Sequence, residues 1–290
     1  MIAAPGRRLR ELLSGPDILI APGAYDALMG KLIEQAGFSA AYLSGAGVAN
    51  TLLGRPDVGL VTMTEMVTRA GYLCEALNIP VIADCDTGYG NAINVARAVR
   101  EYERAGVAAV QIEDQVFPKR CGHMLGREVV SISEMVGKIK AALDARRDTS
   151  LVVVARTDAR TSYGLDEAIE RGQRYADAGA DVVFVESPET VDEMRRITIS
   201  IDSPLLANMV ETGRTPLLSA SELQEIGYST VIFPGALTRF LPFAARQLLA
   251  ELRRTGTTRG LLARMMSFIE VNEVVGLPEI QDMEERYGAG

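Results

Sequence analysis

One histidine, three cysteines, fewer basic than acidic residues and no long apolar run are the scarcities of this 290-residue chain. Each excludes something. The lone histidine, His123, removes every zinc site that needs two imidazole ligands and leaves a serine-type triad only one candidate base. The cysteines, Cys74, Cys85 and Cys121, are an odd number at unrelated spacings, which argues against a disulfide framework and fits a reducing, cytoplasmic compartment. Thirty basic against thirty-eight acidic groups give a net charge of −8, the wrong sign for lying along phosphate backbones or anionic lipid. No apolar run approaches the roughly twenty residues that span a bilayer, and the N-terminal MIAAPGRRLRELL has no signal-peptide core. Neither nucleic acid nor membrane is expected as a partner, and any metal must be held by oxygen.

What is present is a regular alternation. Eight short runs rich in Val, Ile and Ala read as strands: 18–21, 40–43, 81–83, 108–112, 151–155, 182–185, 205–207 and 230–233. Between them Val95, Val99 and Tyr102 recur at helical spacing, as do Met135, Ile139 and Ala142, and Ala168, Ile169 and Tyr175. Eight buried strands with helical crossovers predict a parallel (β/α)8 barrel. An internal repeat agrees: Gly37, Gly106, Gly179 and Gly227 each stand seven residues before a strand end, at Ser44, Glu113, Glu186 and Pro234. Such a glycine closes a helix in the left-handed conformation. From Pro22 to Pro234 the seven steps average about thirty residues, one βα unit each. We expect one barrel domain over residues 1–290, with about 261–290 as a C-terminal helical extension. The apolar Phe268, Ile269, Val271, Val274, Val275 and Leu277 must pack on the barrel or on a neighbouring subunit.

In a parallel barrel the chemistry gathers at the C-terminal ends of the strands. Here those ends carry Ser44, Asp84, Glu113, Arg156, Glu186 and Asn208, with Asp86 two places past Asp84. Buried charges cost several kcal/mol each unless paired or metal-bound, so a rim of chance salt bridges explains the set poorly. Asp84, Asp86 and Glu113, with Asp57 as a fourth, form an oxygen-only cluster suited to Mg²⁺, with Mn²⁺ as substitute, and to few direct protein ligands. The segment 114–131 is long for a βα loop and reads as a mobile lid. In it Cys121 has Lys119, Arg120 and His123 nearby, surroundings that favour a proton donor or nucleophile. Cys74 and Cys85 read as buried packing residues.

SGAGVA, DCDTGYGN, IEDQ, PKRCGH, ARTDA, ESP and ANMVETGRTP, in that order, resemble the isocitrate lyase and phosphoenolpyruvate mutase superfamily from about Leu9 to Tyr287. The length resembles its short lyases, the methylisocitrate and 2,3-dimethylmalate lyases. The resemblance implies a modified TIM barrel whose C-terminal helix is swapped between subunits of a homotetramer, with Mg²⁺ bound directly by Asp84 and through water by Asp57, Asp86 and Glu113. It assigns substrate binding to Tyr42, Ser44, Gly45, Ala46, Asp84, Gly122, His123, Arg156, Glu186 and Asn208, and catalysis to Cys121, Lys119, His123 and either Tyr42 or Glu186 as base. The implied reaction is cleavage of a 2-hydroxy di- or tricarboxylate to a 2-oxoacid and a carboxylate through an enolate. ANMVE, and FPGA where many relatives have YPLS, leave oxaloacetate decarboxylation or hydrolysis and carboxyphosphonoenolpyruvate mutation as alternatives. A purely structural or binding role is a further reading, which the charged strand ends make expensive.

Overall fold

Each of the eight apolar runs becomes a strand in the computed structural model, which describes residues 4–122 and 126–288. The strands are β1 (Leu19–Ala24), β2 (Ala41–Leu43), β3 (Val81–Asp84), β4 (Ala109–Glu113), β5 (Val152–Thr157), β6 (Val182–Val185), β7 (Leu205–Asn208) and β8 (Thr230–Phe233). All neighbours are parallel, and β8 pairs with β1 to close the barrel in sequence order. The (β/α)8 expectation is borne out. β1 runs three residues further than the apolar pattern indicated, through Pro22 and Gly23. Gly23 lies so close to β8 that a Cβ there would sit 2.5 Å from the Pro234 carbonyl oxygen, so glycine here serves close pairing instead of ending the strand.

The helices are α1 (Pro5–Leu13), α2 (Ala27–Gln35), α3 (Gly45–Val48), α4 (Met63–Ala76), α5 (Ala92–Ala105), α6 (Ile132–Ala145), α7 (Ala159–Tyr163), α8 (Leu165–Asp177), α9 (Val191–Ser200), α10 (Ala220–Ile226), α11 (Ala236–Thr255), α12 (Phe268–Val274) and α13 (Leu277–Tyr287). The periodic residues are the buried ones: Val95, Val99 and Tyr102 on α5, Met135, Ile139 and Ala142 on α6, Ala168, Ile169 and Tyr175 on α8. Starts are fixed by side-chain caps, with reciprocal capping boxes at Thr62/Glu65, Asn91/Asn94 and Ser219/Glu222. The four repeat glycines all have positive φ, 88°, 94°, 98° and 112° in chain order, as a left-handed helix stop requires.

The barrel interior is filled by Leu19, Ala21, Tyr42, Ile82, Ala109, Val152, Val154, Val182, Phe184, Leu206 and Ile232. Leu9 of α1 belongs to the same cluster, with Leu12 and Leu13 packed against it. Arg10 on that helix donates to the carbonyls of Ser150 and Leu151, at the start of β5. Helix α1 therefore plugs the floor of the barrel, opposite the strand ends that carry the polar residues.

The chain divides into two compact units, Met1–Ala236 and Leu237–Gly290. The first is the barrel. The second holds most of α11, which contains Pro242, together with α12 and α13. It leaves many large apolar side chains exposed, among them Phe240, Phe243, Phe268, Ile269 and Met283. Among the described residues no helix is long and apolar enough to cross a membrane.

Candidate active site

The strand ends converge as anticipated. Ser44 closes β2 and caps α3, its Oγ accepting from the Gly47 N–H at 3.1 Å. The next residue, Gly45, donates its N–H to Asp84 Oδ2 at 3.3 Å, and a Cβ there would lie 2.7 Å from that oxygen. Half-buried Ala46 follows it. Asp84 Oδ1 accepts from the Asp86 N–H at 3.0 Å, a tight turn in which Asp86 takes φ 47°. Lys119 reaches in from the 114–131 loop, its Nζ 2.5 Å from Asp57 Oδ1 and 2.7 Å from Asp86 Oδ1. Glu113 lies alongside, with Oε2 3.5 Å from Arg156 Nε and Oε1 buried without a hydrogen-bond partner.

Arg156, at the end of β5, forks onto Asp158, Nε to Oδ2 and Nη2 to Oδ1, both at 2.9 Å. It lies over the Phe184 ring, 5.0 Å from the centroid, and its Nη2 is 3.2 Å from Glu186 Oε2. The same Glu186 oxygen accepts from Asn208 Nδ2 at 3.0 Å, while Asn208 Oδ1 is buried without a partner. Gly122 is pressed against this pair. A Cβ on it would lie 2.4 Å from Arg156 Nη2 and 2.8 Å from Glu186 Cδ. Ser187 Oγ is 3.0 Å from both the Gly122 carbonyl and Glu186 Oε1. The Cys121 N–H donates to the Asp57 carbonyl at 3.1 Å, which ties the backbone of half-buried Cys121 to that of Asp57. His123 lies outside the described residues.

The 114–131 loop is anchored along both limbs. Val116 N–H bonds to Glu128 O, Val130 N–H bonds to Asp114 O, and the Gln115 side chain brackets both the N–H and the carbonyl of Arg120. The expected lid thus has a pinned stem, and the portion carrying Lys119, Cys121 and Gly122 lies across the mouth.

Electrostatics follow from burial and crowding. Burial, reinforced by Asp84, raises the Tyr42 phenol well above the usual tyrosine value. Burial lifts Glu113 well above the ordinary carboxylate range despite Arg156, and brings Asp86 to about 6 despite Lys119. Burial alone would lower Lys119, but Asp86 and Asp57 outweigh it and hold the ammonium well above the normal lysine value. Four carboxylates therefore face one ammonium and the edge of a guanidinium that is shared with Asp158 and Glu186. Among the described residues no three Asp, Glu, His or Cys side chains are placed to bind one ion directly. The crowded carboxylates, and the orphaned Glu113 oxygen, instead suit a hydrated hard cation that keeps several waters.

Sequence reasoning missed the layer behind the strand ends. Asp114 Oδ1 accepts from the Asp158 N–H at 2.9 Å, and its Oδ2 accepts from Tyr175 at 2.7 Å and Arg171 at 3.1 Å. Arg127, from the return limb of the loop, is hydrogen-bonded to Asp158. Lys138 on α6 donates to the Thr87 carbonyl at 3.1 Å, bracing the turn after Asp86. The ARTDA and IEDQ motifs contained two of these acids, but a reading confined to strand-closing residues passed over them.

Residues 9–253 match the phosphoenolpyruvate phosphomutase family profile. The chain is 53% identical over 283 residues to 2,3-dimethylmalate lyase of Eubacterium barkeri, covering 98% of each chain. It is 44% identical to 2-methylisocitrate lyase of Aeropyrum pernix, over 97% of this chain and 90% of that one. The structure of oxaloacetate acetylhydrolase with the inhibitor 3,3-difluorooxalacetate superposes with a TM-score of 0.94 at 34% identity, over 100% and 99% of the two chains. Phosphonopyruvate hydrolase in complex with oxalate and Mg²⁺ superposes at 0.89 and 34% identity, over 98% and 99%. The resemblance carried by the strand-end motifs is borne out, and the chain belongs to the phosphoenolpyruvate mutase and isocitrate lyase superfamily.

Proposed function

We infer that the protein is a Mg²⁺-dependent carbon–carbon lyase that cleaves a 2-hydroxy dicarboxylate of the 2,3-dimethylmalate or 2-methylisocitrate type. The observation that carries this reading is the meeting, at one barrel mouth, of the carboxylate cluster with the Cys121 limb of the loop, which Gly122 seats on Arg156 and Glu186. The 53% identity to a dimethylmalate lyase over nearly the whole chain supports it.

Asp84 would hold the cation, with Asp57, Asp86 and Glu113 accepting from its waters. When bound, it polarises the 2-hydroxyl and the adjacent carboxylate and stabilises charge that develops there. Arg156 and Asn208, with Ser44, Gly45 and Ala46, bind and orient the carboxylates. The base removes the hydroxyl proton as the neighbouring C–C bond breaks, leaving a 2-oxoacid and the enolate of a carboxylate. Tyr42, held protonated by burial, suits a hydrogen-bond donor, which leaves Glu186 as the base. Cys121 gives its proton to the enolate carbon as general acid, and the loop excludes water from the intermediate. Lys119 supplies the loop's cation beside Asp57 and Asp86, and His123 is assigned its role on the family resemblance alone. The reading extends to a cytoplasmic homotetramer, which the absence of a disulfide among the cysteines and the exposed apolar surface of residues 237–290 support.

A second reading, oxaloacetate hydrolysis or decarboxylation on the same platform, draws support from the close superposition on oxaloacetate acetylhydrolase. Assaying purified protein against 2,3-dimethylmalate, 2-methylisocitrate, oxaloacetate and carboxyphosphonoenolpyruvate separates these readings. Turnover of either of the first two, abolished by EDTA and restored by Mg²⁺ or Mn²⁺, is the expected result. Activity that persists in EDTA, or is confined to the phosphonate, overturns the lyase reading. Cys121→Ser should lower turnover by about 10²–10⁴, the usual share of general acid catalysis.

A further inference from the structure

Asp158 stands at the N-cap of α7, yet its side chain makes no capping hydrogen bond. An aspartate there ordinarily binds the helix's own N–H groups. This carboxylate, with none of its surface exposed, is given over to two arginines instead. Arg156 forks onto it through Nε and Nη2, at 2.9 Å each. Arg127, 31 residues away in sequence, donates to Oδ1 as well.

Both ends of this bridge are themselves fixed. Asp158 is tied through its backbone N–H to Asp114, which Tyr175 and Arg171 hold. Arg127 also donates to Thr161 Oγ1, and its carbonyl accepts from Ser162 Oγ at 2.8 Å. Arg156 faces two other carboxylates, Glu186 at 3.2 Å and Glu113 at 3.5 Å. A guanidinium among three acids has several orientations open to it, and a bidentate fork selects one plane. Three buried charges give little net stability, so stability alone is a weak reason for this arrangement.

We propose that Asp158 is a positioning residue which fixes the guanidinium plane of Arg156 for the substrate carboxylate and, through Arg127, ties that orientation to the seated loop. The inference rests on the reading of Arg156 as a substrate-binding residue. It also makes the loop a reporter of the site: Gly122 meets Arg156 directly, while Arg127 is joined to the same arginine through Asp158.

The test uses the full chain with Mg²⁺, comparing Asp158→Asn, Arg127→Gln and Arg127→Lys by kcat, by KM for 2,3-dimethylmalate and by calorimetric affinity for oxalate. Asp158→Asn, keeping a wild-type circular dichroism spectrum, should raise KM and weaken oxalate at least tenfold, with a smaller fall in kcat. Arg127→Gln leaves the Arg156 fork in place and should weaken oxalate severalfold, and Arg127→Lys should recover part of that loss. A folded Asp158→Asn protein with unchanged KM and oxalate affinity overturns the proposal. If that variant does not fold, Arg127→Gln decides, and unchanged oxalate affinity there is equally fatal. Arg156→Gln tests the underlying reading by itself: unchanged oxalate affinity in that variant removes the substrate role of Arg156, whatever Asp158→Asn shows.

Discussion

Cys74 and Cys85 are buried, whereas Cys121 is half-buried. Burial drives the Cys74 thiol to about 12, and burial with Asp86 and Asp84 alongside drives Cys85 well above the usual thiol value. A raised pKa keeps the neutral form at every pH below it, and the thiolate is the species that reacts. A thiol reagent at pH 8 should therefore modify one cysteine per native chain, Cys121, and three in denaturant; raising the pH to 9 should not add Cys74 or Cys85. Peptide mapping showing rapid labelling of Cys85 in the native protein would contradict this. The packing role of these two cysteines was legible from their places on a helix and between aspartates. The joint role of Asp158 and Arg127 was not, because the two stand 31 residues apart and meet only once the strands are assembled.

At the scale of elements, the barrel was legible because it repeats. Strand ends recur about every thirty residues, and four of the joins, at Gly37, Gly106, Gly179 and Gly227, obey one local rule of a helix-stop glycine followed by a strand. The extension of β1 through Pro22 and Gly23 was not legible, since it depends on the approach of β8. The 114–131 loop shows the same division. Its length and composition marked it as functional, but its anchoring comes from Gln115, Arg127 and the ladder to Val130, which no local pattern reports. Its seat on the site is set by the missing side chain of Gly122. Gly122→Ala should push the Cys121 limb away from Arg156 and Glu186, since a Cβ 2.4 Å from Arg156 Nη2 requires one of them to shift and both side chains are held by hydrogen bonds. Turnover should drop about a hundredfold, as misplacement of about 1 Å does, with the melting temperature nearly unchanged because the loop adds little to the core. Wild-type turnover in this variant would show that the seated position is not the working one.

At the scale of the whole molecule, the two compact units differ in how they bury apolar surface. The barrel unit keeps its large apolar residues mostly inside, whereas Phe240, Phe243, Phe268, Ile269 and Met283 of the second unit are each more than half exposed, Phe268 at 84%. On our reading this surface is an association site. A chain ended at residue 260 should lose assembly mass in light scattering and become less soluble; unchanged mass would argue against a role for the last thirty residues in assembly. The apolar surplus after Leu261 was legible in the sequence, but the exposure of Phe240 and Phe243 was hidden inside what reads as an ordinary final barrel helix.

The plug formed by α1 bears on the stereochemistry of the product. With Leu9, Leu12 and Leu13 filling the barrel floor, the mouth is left as the route by which a proton reaches the cavity, and the Cys121 limb lies across it. A planar enolate held in that cavity presents a single face to the thiol. Reaction in heavy water should accordingly place one deuterium on the carboxylate product, with one handedness at the labelled carbon; a racemic label would mean that bulk water, arriving from either face, delivers it.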